Sequence, residues 1–306
     1  MPRSPNPPVL RSLLAAAAAI LVATGVTLFA TVTPASAHGV TMMPGSRTYL
    51  CYLDGLTDTG EIKPDNPACA DAVADGGATP LYNWFAVLDS NAAGRNVGYV
   101  PDGTICSAGD KSPYDFAAYN QARADWPITH LTSGASIQVR HSNWAAHPGA
   151  FHMYITKPGW DPTRPLAWSD LEPFWSATDP PQSGGPGGFN YYHWNVDLPQ
   201  RSGQHLIFTQ WVRSDSAENF FSCADVVFDG GNGEVTGIDA EVDSVTAMSW
   251  TASGHDHAGT GDAAAATPTP AQGSLWTSLW PVGAIIAFAL IAALVANIRA
   301  RRHRQA

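Results

Sequence analysis

The run His205-Leu206-Ile207-Phe208-Thr209-Gln210-Trp211-Val212 decides the fold, because it reads as a β-strand of period two. Shorter runs of the same kind recur at 136–140 (SIQVR), 151–155 (FHMYI) and 223–228 (CADVVF). Helical periodicity is scarce, and 114–123 is the best short helix. The chain carries 28 Gly and 24 Pro, many of them between these runs. Short strands joined by long Gly/Pro-rich loops predict an all-β domain, an immunoglobulin/fibronectin-like β-sandwich. The stretch 41–133 reads as an insertion of loops and short helices carried on that sandwich. Function tends to sit on such loops.

Outward from this domain the two ends read differently. Arg3 and Arg11, the apolar run 13–30 and Ala35-Ser36-Ala37 are the parts of a secretory signal peptide, 1–37. Cleavage after Ala37 would make His38 the first residue. At the other end, 279–298 is about twenty uncharged residues, the length a helix needs to cross a bilayer. Trp276 and Trp280 flank its outer edge, and Arg299, Arg301, Arg302 and Arg304 follow in a basic tail, 299–306. By the positive-inside rule that tail is cytoplasmic. The expectation is an exported protein held in the plasma membrane by one C-terminal transmembrane helix, its domain 38–237 outside. Between them lies an extension and flexible linker, 238–278, whose part GHDHAGTGDAAAATPTPAQG (254–273) has no apolar periodicity. His255 and His257 read as soluble linker residues.

Charge excludes one class of partner. Six of the 16 basic residues lie in the terminal segments just named, leaving ten against 26 acidic residues, a net charge of about −16 outside the membrane. Nucleic-acid binding rests on phosphate neutralisation, and here the sign is wrong. A neutral polymer tolerates it. Cys51, Cys69, Cys106 and Cys223 are an even number with no close-set zinc spacing, so in an exported chain they read as disulfides. Three pairings satisfy the count, and composition does not choose among them.

An N-terminal histidine offers an α-amine and an imidazole to one metal, and a second imidazole would complete a three-nitrogen plane of the kind that suits Cu(II). Candidate partners for His38 are His130, His141, His147, His152, His193 and His205, with His255 or His257 from the linker. Spacing selects none of them.

The motifs HGVTMMPGSRTYLC (38–51), PLYNWFAVLDSN (80–91), NWAAHPG (143–149) with YITKPGW (154–160), and WVRSDSAENFFSCADVVFDGGNGEV (211–235) occur in order. Over almost all of 38–237 the chain resembles the bacterial lytic polysaccharide monooxygenases of auxiliary activity family ten, and within them the cellulose-active actinomycete branch. The resemblance implies His38 and His147 as copper ligands, Phe220 as the axial aromatic, and Ala145 as the small residue crowding the other axial side. It implies Glu218 as the acidic residue that positions oxygen or peroxide, and Arg213 as a supporting residue behind the ligands. It places Tyr82, Asn83, Phe85, Tyr114 and Trp144 on a flat substrate face, while Trp84 and Phe116 read as core. It pairs Cys51 with Cys69 and Cys106 with Cys223. The implied cofactor is one copper ion per chain, with an external electron donor and O2 or H2O2. The implied partner is insoluble polysaccharide, cellulose first and chitin second, cut by C1 and also C4 oxidation by a monomer.

Two other classes fit parts of the sequence. A surface copper-binding or copper-delivery domain can begin with His and end in a membrane helix, but it needs no long aromatic loop region. A non-catalytic polysaccharide-binding module needs the aromatic face but not His38, His147 and Phe220 together.

Overall fold

In the computed structural model, residues 38–239 are described. Eleven strands form two sheets among these residues: β1 (Thr41–Met43), β2 (Leu88–Asp89), β3 (Ile128–Leu131), β4 (Ser136–Ser142), β5 (Gly149–Thr156), β6 (Leu171–Thr178), β7 (Gln182–Ser183), β8 (Tyr191–Asp197), β9 (Gly203–Arg213), β10 (Asn219–Phe228) and β11 (Val235–Thr236). One sheet has the order β1-β4-β8-β7; the other runs β11-β3-β10-β9-β5-β6, with β2 paired to β10. All pairs are antiparallel except β3 with β10. The sandwich expectation holds, and each of the four sequence-predicted runs lies within a strand.

β9 sits between β10 and β5, and register fixes what each of its faces meets. Trp211 pairs with Phe220 and Phe151, and Thr209 with Met153, on the face toward the smaller sheet. There Phe151 packs against Trp194 at 4.9 Å and Trp211 at 5.4 Å, while the Trp194 indole donates to Met153 Sδ at 3.4 Å. Each such aromatic contributes roughly 1.5–3 kcal/mol by burial. The opposite face, with Leu206, Phe208 and Gln210, is buried too. Asn96 donates to Gln210 Oε1 (3.0 Å), and Trp168 packs edge-on against Phe208 (5.4 Å). Cys106 is bonded to Cys223, which pairs with Phe208. The loops cover this face, so the period-two strand is not half exposed.

The insertion contains helices Arg47–Gly55, Pro67–Gly76 and Thr79–Tyr82. The second starts where Asn66 accepts from the N–H groups of Ala68 (2.9 Å) and Cys69 (3.1 Å), with proline in its first turn. Cys51–Cys69 ties it to the first helix. Arg47 forms a buried two-toothed ion pair with Asp225 of β10, at 2.6 and 3.0 Å.

Three expectations change. Within 114–123 only Ala117–Asn120 is helical, as a 3-10 turn. Asp115 caps its start and Asn120 turns back to Ser107 Oγ, after which Gln121 is extended. The stretch 41–133 is not all loop and helix, since β1, β2 and β3 within it join the sheets. The domain also holds strands that were not anticipated, β6 and β8 among them. Among the described residues no helix is long and apolar enough to cross a membrane. The signal peptide, most of the linker with His255 and His257, the segment 279–298 and the basic tail lie outside the described residues.

Candidate metal centre

The segment 38–41 runs alongside the end of β4 into β1 and is tied to both sheets. His38 and Ala145 form an antiparallel bridge, with His38 N–H donating to Ala145 O (3.4 Å) and Ala145 N–H to His38 O (3.2 Å). Gly39 N–H donates to Phe85 O at 2.9 Å, and Thr41 N–H to Ser222 Oγ at 3.0 Å. A Cβ on Gly39 would lie 2.2 Å from Ser142 O, so only glycine lets the chain pass this close. Two residues beyond Ala145 stands His147. The bridge therefore brings the backbone nitrogen of His38 beside the loop that carries the second imidazole.

His147 is clamped from behind. Its N–H donates to Tyr192 Oη (2.7 Å), and that hydroxyl donates to His147 O (2.9 Å). Burial pushes the Tyr192 pKa up to about 12, which keeps the hydroxyl proton in place. His147 Nδ1 lies 2.7 Å from Asp215 Oδ2 and 2.7 Å from Arg213 Nη2. The Arg213 hydrogen bond, followed by that of His147, holds the Asp215 carboxyl far below the usual carboxylate range. An ionised carboxylate only accepts, so its bond needs the proton on Nδ1; a guanidinium only donates, so its bond needs Nδ1 bare. One proton arrangement holds at a time. Coordination through Nε2 goes with the first, the proton on Nδ1.

Arg213, Asp215 and Glu218 all come from the β9–β10 hairpin, which Arg213 N–H closes onto Glu218 O (3.3 Å). Arg213 Nε donates to Asp215 Oδ1 at 2.7 Å, and Nη1 donates to Glu218. Burial opposes the guanidinium charge, yet the bonds to Asp215 and Glu218 outweigh it and raise its pKa. Glu218 thus reaches His147 through Arg213. Phe220 is fully buried at the head of β10, its ring 6.5 Å from His38 and 5.1 Å from Trp211. Phe85 stands edge-on to His38 at 5.1 Å.

The remaining histidines of the domain are placed elsewhere in its bonding. His141 is buried between Thr41, Phe151 and Trp211, with its pKa pushed down to about 3 by burial. His130 bonds Asp229 (2.6 Å) and Thr236 (2.8 Å); His205 bonds Thr156 (2.8 Å) at the far end of β9. His152 pairs with Gln210 in β5, and His193 lies in β8 opposite Arg140. Among the described residues no three His, Cys, Asp or Glu side chains are grouped to hold a metal. Two imidazoles and an amine are a different donor set, the one expected of His38 and His147.

Of the expected face, Tyr82 is 49% and Trp144 38% exposed, and Asn83 and Tyr114 are half-buried. Tyr82 Oη donates to Gly60 O (2.9 Å) and Asn83 Nδ2 to Thr79 O (3.0 Å). Tyr114 N–H donates to Ser112 Oγ, which in turn donates to Ala86 O. Phe85 is corrected: it is 8% exposed and lies flat beneath Trp144, 4.4 Å away at 12°. It is the floor of the face and not part of its surface, because its ring fills the gap between His38 and Trp144. Sequence reasoning missed Asp215 and Tyr192. Asp215 was findable as a second acid in the turn joining two strong strand runs, whereas Tyr192 lay in a strand that was not foreseen. Both cystine pairs are as the resemblance implied.

The sequence model of the family described as lytic polysaccharide mono-oxygenase, cellulose-degrading, matches residues 38–226. A lytic cellulose monooxygenase of Streptomyces ambofaciens is 66% identical over 229 residues, 74% of this chain and 63% of that protein. The chitin-binding protein CbpD of Pseudomonas aeruginosa is 43% identical over 205 residues, 64% of this chain and 49% of its own length. The chain thus spans less than two thirds of either relative. A solved structure of the cellulose-active enzyme CelS2 in complex with copper matches with a TM-score of 0.63 and 68% identity, covering 63% of this chain and all of that one. A family model that takes in more than half of the chain, together with a close fold match, makes this protein a member of the lytic polysaccharide mono-oxygenase family.

Proposed function

We propose that the protein is a copper-dependent monooxygenase that cuts the glycosidic bonds of insoluble polysaccharide, cellulose first, by oxidation at C1 and also at C4. The single observation that carries this reading is the His38–Ala145 bridge set beside His147, whose Nδ1 lies 2.7 Å from Asp215 Oδ2. Cellulose is supported by two relatives, one named a lytic cellulose monooxygenase and one described as cellulose active. The chitin-binding relative makes chitin the second arm of the test.

In this reading His38 would hold copper through its amine and ring, and His147 through Nε2. Bound there, copper supplies one-electron activation of O2 or H2O2 to an oxidant able to take hydrogen from a strong C–H bond. The protein's part is positional. Asp215 takes the Nδ1 hydrogen bond and so fixes the His147 tautomer and ring plane. Tyr192 holds the His147 backbone from both its N–H and its carbonyl. Phe220, whose ring lies 6.5 Å from that of His38, and Ala145, bridged to His38, would crowd a bound copper with apolar groups and so limit further ligands. Glu218, steered by Arg213, positions the co-substrate. Tyr82, Asn83, Tyr114 and Trp144 offer a flat face, which a crystalline polymer requires because it cannot enter a pocket. Overall, a C–H bond becomes C–OH with one oxygen taken from H2O2 and water released, or from O2 with two electrons and two protons from an external donor. The hydroxylated carbon then expels its glycosidic oxygen, which leaves as an alcohol with the new hydroxyl's proton while the carbon becomes a carbonyl, a lactone at C1 (hydrolysed by water to the aldonic acid) or a ketone at C4. The chain acts as a monomer, exported and held in the membrane by 279–298.

Express the full chain from its own leader, load copper, and incubate it with cellulose and separately with chitin plus ascorbate. Mass spectrometry should find aldonic acids or 4-keto oligosaccharides that vanish without copper or reductant. Tight copper binding with no oxidised product from either polymer would instead favour a copper-handling role.

A further inference from the structure

Five large apolar side chains of the described residues are well exposed, and two of them, Trp144 and Phe189, rest on the same buried ring. Trp84 is 2% exposed, and both their ring centroids lie 6.3 Å from its own. Phe189 is nearly parallel to Trp84, at 15°, and 54% exposed. Trp84 also packs on Phe85 (5.3 Å), which in turn touches His38. One aromatic cluster therefore runs from the candidate metal centre through Trp144 and Trp84 to Phe189, its far member.

The chain around Phe189 is built to hold it there. Residues 183–188 read SGGPGG, with Gly184, Gly187 and Gly188 at φ of 77°, 95° and 59°. Such a run is entropically costly to order. It is nevertheless pinned to the segment just before Trp144: Asn143 N–H donates to Asn190 O (3.1 Å), Gly187 N–H to Asn143 O (3.4 Å), and Asn143 Nδ2 to Gln182 Oε1 (2.8 Å). Asn143, the residue common to all three bonds, is fully buried. An ordered glycine loop that ends in a half-exposed phenyl ring, nearly parallel to a tryptophan, exposes apolar area that folding alone would hide.

We infer that Phe189 is a further polysaccharide-binding residue, which extends the substrate face past Trp144 and stacks on a sugar of the same β-linked glucan chain. The inference rests on the polysaccharide reading above. It commits to a neutral sugar polymer because the two segments that carry Trp144 and Phe189, 142–146 and 182–190, hold no charged residue. Trp144 and Phe189 lie no farther apart than twice their common distance from Trp84, within reach of a chain a few sugars long.

The test uses the copper-loaded full chain, wild type, Phe189→Ala and Phe189→Tyr, with binding isotherms on microcrystalline cellulose and oxidised products read by mass spectrometry. Phe189→Ala should weaken binding by about 3- to 10-fold, the change an aromatic contact of this kind carries, while Phe189→Tyr stays near wild type. The Cu(II) spectrum and the thermal midpoint should not move in either variant. Wild-type binding by Phe189→Ala, in a protein whose wild type is active, would overturn this inference alone. A lowered thermal midpoint with unchanged binding would make Phe189 a cover for Trp84 and also overturn it. A wild-type dimer in sedimentation that Phe189→Ala dissolves would assign the patch to self-association instead. Failure of the wild type to bind or oxidise either polymer would overturn the polysaccharide reading, and this inference with it.

Discussion

At the scale of single residues the site turns on how one proton is placed. Asp215 and Arg213 compete for His147 Nδ1 at the same 2.7 Å, and only the Asp215 arrangement leaves Nε2 for a metal. Asp215→Ala should therefore lower Cu(II) affinity by about 10- to 100-fold, the usual cost of losing such a partner, with the ligands themselves intact. Competition with a chelator of known affinity measures this; an unchanged affinity would remove Asp215 from the site. His141 gives a prediction of another kind. Its ordinary pKa of 6.5 falls to about 3 in the fold, because burial disfavours the charged ring. Between those values the unfolded chain binds a proton that the folded chain refuses, so stability drops as pH falls. It is whole above 6.5 and is lost toward 3, on the order of 1 kcal/mol per pH unit. Urea titrations of the copper-free protein at pH 7 and pH 5 should show a wild-type decline that His141→Leu reduces; equal slopes would contradict it. The sequence made His38 legible through the cleavage site before it. It left His147 equal to five other domain histidines until motif resemblance chose, since nothing in spacing encodes the Asp215 and Tyr192 bonds that single it out.

At the scale of elements, period-two runs located β4, β5, β9 and β10 but said nothing of what covers them. β9 alternates in sequence and is buried on both faces, because Asn96, Trp168 and Cys106 lie over the side that alternation would give to water. β8 went unread: its pattern YYHWNVD mixes aromatic and polar residues, and its inward set Tyr192, Trp194 and Val196 emerges only against β4. The cover is held by two long-range ties to β10. Cys106–Cys223 closes 117 residues against 18 for Cys51–Cys69, so by chain entropy its loss should cost about 2–5 kcal/mol and more than the shorter bridge. Denaturant unfolding of Cys106→Ser/Cys223→Ser beside Cys51→Ser/Cys69→Ser tests the order. Asp225→Ala should cost about 3–5 kcal/mol, because Arg47 is left buried with its charge uncompensated. A loss below 1 kcal/mol would mean that water reaches the guanidinium.

At the scale of the whole molecule, the ends were read from hydropathy and charge alone, signals that need no tertiary context. That is why these expectations stand apart from the packing just described. A segment of about twenty uncharged residues would, if helical, span roughly 30 Å, enough for a bilayer core, and four arginines after it would resist passage to the outside. The acidic part before it, at about −16, meets no such barrier on the outer side. The full chain should therefore sediment with membranes, resist carbonate extraction, and yield its domain to protease added to intact cells. A chain ending at residue 278 should appear in the medium with unchanged activity on suspended cellulose. Recovery of the full chain in the medium, or of the shortened chain in the carbonate-resistant pellet, would refute the anchor. An anchor there would confine the oxidising site to polymer lying against the cell. Attack on a cellulose particle should then require contact with the cell surface, and separating the two by a porous membrane should abolish product release by the full chain but not by the shortened one.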